Sequence, residues 1–380
     1  MDTSIEEQRW RFVRAFESGL WAMSELCDRF AITRPTGYKW LARWRAEGDA
    51  GLADRSCVPQ HCPQRTATAV IDRLVAVRAQ YGWGATKLLA VLRRRHPTVT
   101  WPARSTVNAI LAQRGLLRRQ RPRRRALAHP GAAPLVTTGP NQVWPADFKG
   151  QFKTGDGVYC YPLTVTDHFS RAVLLCRALP STKTTEARRA FLALFRDVGL
   201  PEAIRTDNGA PFASTGLHGL SPLNVWWMQL GIVHQRVRPG YPQGNGTHER
   251  MHRELKRETA MPAAATARAQ QRRFDAFRRR YNEERPHAAL GQCTPSSRWQ
   301  PPTRRLPARI APPEYPAHVQ VRRIRANGEV RFRGQRAFVT KVLCGADIAF
   351  EEISDGVWNV IYYRSILGRF DERTGELTAG

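Results

Sequence analysis

The sequence predicts a multidomain chain: an all-α front with tandem helix-turn-helix units, a central α/β domain with a mixed sheet, and a small all-β, barrel-like end. Three observations predict it. Helical periodicity runs to residue 117, β-rich runs separated by single helices begin at Asn141, and strand alternation follows a Pro-rich stretch at 301–318. The expected divisions are 1–60 (first helix-turn-helix), 61–117 (a second, similar unit), 118–140 (basic arm and linker), 141–300 (α/β core), 301–318 (linker) and 319–380 (β-barrel).

At the front, "SELCDRF", a turn at "AIT" and "RPTGYKWLARWRAEG" read as two helices about a short turn, with Ser24 and Thr33 as N-caps and Gly48 closing the second helix. "TATAVIDRLVAVRAQYG", "GATKLLAVLRRRH" and "ARSTVNAILAQRGLL" give three more helices, the last with Val107, Ile110 and Leu111 at helical spacing. Arg34, Lys39, Arg43 and Arg104 accompany the second-helix positions and are candidate DNA contacts. The run "RRQRPRRR" adds Arg118, Arg119, Arg121, Arg123, Arg124 and Arg125, followed by an Ala/Pro/Gly/Thr-rich stretch without periodicity.

The middle reads β-β-β-α-β-α-β-α. "QVWPADFKGQF", "VYCYPLTVTDHF" and "RAVLLCRAL" are strands, and "TKTTEARRAFLALFRDVG" is a helix with Ala187, Phe191, Leu194, Phe195 and Val198 on one face. The strand "EAIRTD", the helix "SPLNVWWMQLG", the strand "IVHQRV" and a final helix complete it. Pro145 lacks a ladder donor, so a bulge is expected in the first strand. Beyond residue 318, alternation with a turn at Asn327-Gly328 predicts the small barrel.

Charge narrows the function. There are 60 Lys and Arg against 32 Asp and Glu, a net +28, which favours a polyanionic partner, above all nucleic acid. No run approaches the roughly 18 apolar residues of a membrane span, and the start is acidic rather than secretory, so a soluble cytoplasmic protein is expected. The seven cysteines suit buried reduced thiols, while Cys57, His61 and Cys62 make only half a zinc site.

In such a chain the informative residues are acids at strand ends, because phosphodiester chemistry commonly uses two Mg²⁺ held by carboxylates. Asp147 lies in the first core strand and Asp207 ends the fourth, 60 residues later. On "NGTHERMHRELKRE", a turn of about 100° per residue groups Glu249, His252, Arg253 and Lys256, with Met251 and Leu255 roughly opposite. Glu254 lies nearer the apolar side, so Glu249 is the preferred acid, with Arg253 and Lys256 set to meet phosphates. Singly, each acid could be a turn, a cap or a solvated position; Asp167 competes, but at a hairpin corner where Asx turns are common.

These residues carry a resemblance. "PNQVWPADFKGQF", "YPLTVTDHFSR", "IRTDNGAPFAS", "PGYPQGNGTHERMHRELKRE" and "YNEERPHAALGQCTP", with "GLADRS" and the helical units ahead, resemble bacterial insertion-sequence transposases with a retroviral-integrase-like core, the DDE group of the RNase H-like superfamily. The resemblance implies a catalytic and metal-binding triad at Asp147, Asp207 and Glu249, with Mg²⁺ or Mn²⁺, two ions per site, as cofactor. It also implies hydrolysis at the element's end, strand transfer by the freed 3′-OH, no nucleophilic side chain, and a homodimer or larger assembly on double-stranded DNA, away from any membrane. The 41 residues between Asp207 and Glu249 exceed the family's usual spacing. In "YNEERPHAALG", Arg285 and His287 either approach DNA or pack a turn on the core. A transposase-derived binding protein without catalysis is the alternative function, and a nuclease lacking strand transfer a third.

Overall fold

The structure, a computed structural model, describes residues 4–55, 65–117, 135–214, 219–237 and 246–379. The arginines of the 118–125 run, the Cys57, His61 and Cys62 group and most of "PGYPQGNG" lie outside these residues. The chain divides into two compact units, Met1–Ala67 and Thr68–Gly380.

The first unit is three helices, α1 (Ile5–Glu17), α2 (Met23–Arg29) and α3 (Arg34–Glu47). Phe12 is fully buried and meets Phe30 and Trp40 edge-on, each at 5.5 Å between centroids. Gly37 is what allows α3 to come this close: a Cβ there would sit 2.8 Å from the Phe12 ring. Thr33 does occupy the N-cap of α3 and Gly48 its C-cap at φ 63°, but α2 is capped at Ala22, so Ser24 lies inside the helix rather than at its start.

The second unit begins with α4 (Thr68–Tyr81), α5 (Ala85–Arg95) and α6 (Arg104–Gln113), packed through Leu74, Leu88, Leu92, Val107 and Leu111. Then come β1 (Val143–Phe148), β2 (Phe152–Lys153), β3 (Tyr159–Thr166), β4 (Val173–Leu179), α7 (Thr184–Asp197), β5 (Ala203–Thr206), α8 (Pro222–Gln229), β6 (Val233–Arg236), α9 (Gly246–Thr259) and α10 (Ala267–Glu283). The expected first strand is thus two: the chain leaves β1 at Phe148 and pairs again only at Phe152 and Lys153.

The sheet runs β2-β3-β1-β5-β6, with β4 on β3. β1 is antiparallel to β3 and parallel to β5, and β5 is parallel to β6, so the sheet is mixed. The expected bulge at Pro145 is not in β1, which pairs Pro145 with Arg205 on one side and begins its β3 pairing at Ala146 on the other. The shift falls in the β3–β4 pair, between Val165 and Thr166. Trp144, Ile204, Phe191, Phe195 and Trp227 fill the core between this sheet and α7 and α8, while Met251, Leu255, Phe274 and Phe277 bring α9 and α10 against Cys160, Val173 and Cys176. Burial pushes the Cys160 thiol up to about 11, in keeping with an inert core thiol.

The Pro-rich connector does not behave as a free linker. Arg304 donates to the carbonyls of Pro201 at 2.8 Å and Leu230 at 2.6 Å, and Leu200 N–H donates to the Arg304 carbonyl at 2.9 Å. Gly199, at φ 115°, permits this strapping because a Cβ would stand 2.7 Å from the Arg304 carbonyl oxygen.

At the end stand β7 (Gln320–Arg323), the hairpin β8 (Glu329–Phe332) with β9 (Gln335–Phe338), β10 (Asp347–Ser354), β11 (Val357–Tyr362), β12 (Ser365–Asp371) and β13 (Leu377–Ala379). The expected barrel is not closed among the described residues: the sheet is β13-β12-β11-β10-β7, with β8–β9 a separate ribbon. The ribbon covers the apolar face instead of joining the edges, with Phe332 stacked on Phe350 at 3.9 Å. Leu220, Val225 and Met228 share this core, so the β unit is seated on α8.

Candidate active site

The β1–β5 pairing keeps a constant offset: Val143 faces Ala203, Trp144 faces Ile204 and Pro145 faces Arg205. Asp147 and Asp207 differ by that same offset, so parallel pairing delivers both to one end of the sheet. Asp207 is exposed just beyond β5, held by its Oδ1 accepting from Gly209 N–H at 3.2 Å, while Asn208 Nδ2 donates to the Val237 carbonyl at 2.8 Å. The turn is therefore tied to the end of β6. Glu249 is exposed in the first turn of α9.

Asp147 is half-buried, its side chain 23% exposed. Burial is the first cause that raises its carboxyl to about 7, the Asp207 carboxylate the second, and Glu249 adds to them; the Phe148 N–H and Lys149 only partly offset this. Asp207 and Glu249 thus both act on the Asp147 carboxyl. Unmatched negative charge at a set of carboxylate oxygens is a donor set that fits a hard divalent cation such as Mg²⁺ or Mn²⁺.

Two histidines form the wall behind Asp147. His248 and His252 are 2% and 6% exposed, and Asp147, His248 and His252 offer ligand atoms within 4.8 Å of one another. The ring nitrogens are largely engaged. Thr164 Oγ1 lies 2.7 Å from His248 Nε2 and 2.6 Å from His252 Nε2, and donates to the Asp147 carbonyl at 3.1 Å; His248 Nδ1 meets Thr166 Oγ1 at 3.1 Å. With its one proton given to that carbonyl, Thr164 accepts from both Nε2–H groups, and His248 Nδ1 accepts from Thr166. Burial keeps both imidazoles neutral, His248 falling to about 3. His252 Nδ1 then faces Asp147 Oδ2 at 3.7 Å as a lone pair. The Thr164 hydroxyl, buttressed by the two histidines, holds the β1 backbone, and the neutral histidines leave the acidic end free of added positive charge.

His252 therefore does not join Glu249 on a solvent face. It stands about 60° from Glu249 around the helix, at the border of an apolar arc. His248, Met251, His252 and Leu255 follow the spacing of a buried helix face, a signal present in the sequence and read there only for Met251 and Leu255. Arg253 and Lys256 are exposed on the same helix as Glu249.

Of the competing acids, Asp167 is 1% exposed and accepts from Asn141 N–H at 2.7 Å, Ser170 N–H at 2.7 Å and Ser170 Oγ at 2.6 Å. It is an Asx turn, as its corner position suggested. Glu254 pairs with Arg257 at 2.5 Å and Arg285 at 3.2 Å. Arg285 is 9% exposed and His287 half-buried, so "YNEERPH" lies against the core, with both residues lining a cleft. In the first unit Arg34 and Lys39 are exposed and Arg43 half-buried on α3; in the second, Arg104 is exposed at the start of α6.

Comparison with known proteins agrees with this architecture. Integrase core domain models match residues 137–242 and 230–295, and homeodomain-like domain models match residues 6–53 and 36–111. An uncharacterized 39.2 kDa protein of insertion element IS476 from Xanthomonas euvesicatoria is 28% identical over 273 residues, 70% of this chain and 75% of that one. An uncharacterized 31.7 kDa protein of insertion element IS407 from Burkholderia multivorans is 31% identical over 175 residues, 46% of this chain and 58% of that one. Among solved structures, the simian T-cell lymphotropic virus intasome is 18% identical with a TM-score of 0.39, covering 76% of this chain and 96% of that one. The HTLV-2 integrase catalytic core in complex with magnesium is 19% identical with a TM-score of 0.33, covering 42% and 97%. Integrase-core matches over residues 137–295, homeodomain-like matches ahead of them and insertion-element proteins among its relatives together support an insertion-sequence DDE transposase with an integrase-like core.

Proposed function

We propose that this protein binds the terminal repeats of its element, cleaves a phosphodiester there to free a 3′-OH, and joins that 3′-OH to target DNA. The observation that carries the reading is the convergence of Asp147, Asp207 and Glu249, with Asp147 raised to about 7 beside the other two in a chain of net charge +28. Acids that repel DNA are costly in a protein built to bind it, unless they serve chemistry. Asp147, Asp207 and Glu249 would hold Mg²⁺ or Mn²⁺, two ions per site. When bound, such ions activate the attacking oxygen and stabilise the leaving one.

The chain's own groups do the rest. The Thr164 network holds the β1 backbone at Asp147, the turn after β5 presents Asp207, and Arg253 and Lys256 meet phosphates beside Glu249. In the first step water oxygen bonds to phosphorus and the bond to the 3′ oxygen breaks, leaving a 3′-OH and a 5′-phosphate. In the second the new 3′-OH bonds to a target phosphorus and a target 3′ oxygen leaves. Neither step needs a covalent link to the protein. Arg34, Lys39 and Arg43 on α3 and Arg104 on α6 are the proposed contacts for end recognition, and joining two ends to one target requires at least a homodimer.

Replacing Asp207 tests this. Asp207→Ala is expected to lower metal-dependent cleavage of DNA carrying the element's ends by about 1000-fold or more while leaving end binding intact. Full cleavage by that variant would refute the assignment, and an unsubstituted chain that binds ends without cutting would mark a regulator.

A further inference from the structure

A second polar cleft, of about 300 Å³, lies where α5, β3, α9 and the segment after α10 meet. Its cations come from distant parts of the sequence: Lys87 on α5, Arg171 in the β3–β4 turn, Arg250 and Arg253 on α9, and Arg285 beyond α10. Two acids line it, and both are engaged. Asp167 is held by Asn141 and Ser170, and Glu254 is shared between Arg285 and Arg257. A surplus of positive charge remains in a recess where water screens poorly.

Two buried atoms here also lack partners, Arg285 Nε and His287 Nε2. An orphaned guanidinium N–H on a residue only 9% exposed calls for an acceptor. Burial, with the Arg285 charge second, lowers Lys87 to about 8, as expected of an ammonium without its anion. Arg253 stands four residues along α9 from Glu249, a rise of about 6 Å. A strand whose reacting phosphate lies at the acidic end could therefore reach this cleft with a neighbouring one.

We propose that the cleft holds a backbone phosphate of bound DNA, clamped between Lys87 of the second helical unit and Arg171 and Arg285 of the catalytic region. The proposal rests on the transposase reading and adds to it a fixed hold on the strand beside the reacting phosphate. It also gives Lys87, which carries no motif, a role in DNA binding.

The test uses the full chain carrying Asp207→Asn, so that cleavage does not interfere, and a short fluorescein-labelled duplex. Lys87→Gln is expected to weaken binding several-fold and reduce the slope of log affinity against log salt by about 0.9, with Lys87→Arg restoring both. N-hydroxysuccinimide acetate at mildly alkaline pH should acetylate Lys87 in the free protein, and the duplex should protect it where inorganic phosphate at equal phosphate concentration does not. An unchanged salt slope in Lys87→Gln, or equal labelling with and without duplex, overturns the clamp. Equal protection by inorganic phosphate overturns the DNA assignment in favour of a free-phosphate site. Cleavage by the unsubstituted chain is scored separately: cutting without Lys87 protection sinks the clamp alone, whereas protection without cutting sinks only the catalytic reading.

Discussion

Asp147 sits on β1 and Asp167 in the turn that follows the neighbouring strand β3, and they differ in what surrounds their charge. Asp167 is the more deeply buried, yet its oxygens receive three donors. Asp147 is more exposed, accepts from the Phe148 N–H, and faces two other carboxylates that help raise it to about 7. Depth of burial therefore does not mark the acid proposed to hold a cation. What marks it is charge left unmatched by the protein, and that charge is available to a cation.

The sharpest way to break this comparison is to neutralise each acid in turn. Asp147→Asn should reduce cleavage by about 1000-fold or more, with the fold retained by circular dichroism; retained cutting would make the two aspartates equivalent. Asp167→Asn should instead leave cleavage per folded molecule near normal and cost about 1–3 kcal/mol in urea unfolding. The reason is that an amide N–H₂ must then face the N–H of Asn141 or Ser170.

A smaller effect is expected at Thr164, whose hydroxyl serves both histidines and the Asp147 carbonyl. Thr164→Val should cost about 1–2 kcal/mol in the same measurement, with a partial loss of cleavage. Loss of neither would mean that the histidines hold Asp147 without it.

The comparison can also be sharpened by pH. A carboxyl raised in the folded state contributes stability that is fully present below its unfolded value of 3.8 and is lost as pH rises through about 7. In chelator, Asp147→Asn should therefore gain in Tm relative to the unsubstituted chain between those limits and gain no more above them. His248, lowered to about 3, works in the opposite direction, giving stability that is lost as pH falls from 6.5, but both chains share it. A constant Tm difference across the range would show that Asp147 carries no unusual charge cost.

Much of this was legible in the sequence because local signals coincide with the fold. The offset of 60 between Asp147 and Asp207 equals the β1–β5 register, and Met251 and Leu255 do face the core. Misreadings arose where a residue sits at a border or answers to a distant partner. His252 lies between solvent and core arcs, and its burial is decided by Thr164, 88 residues away. The C-terminal strands alternate as a barrel would, but whether edges close depends on where the β8–β9 ribbon folds. Lys87 comes near Arg285 only because α4 and α5 are tied to the end of α10, where Tyr81 bonds Glu284 and Arg94 donates to the Glu284 carbonyl, and nothing near Lys87 in the chain announces that.

The Thr164 hydroxyl also sets how far this gene can drift. Both nearby imidazoles and a strand carbonyl draw on one oxygen at a position fully closed to solvent. Of the genetically encoded side chains, only threonine and serine place a hydroxyl that close to the backbone, so neutral change at residue 164 is confined to that pair. A chain that has lost the hydroxyl should cut less well than its parent, even with all three acids intact.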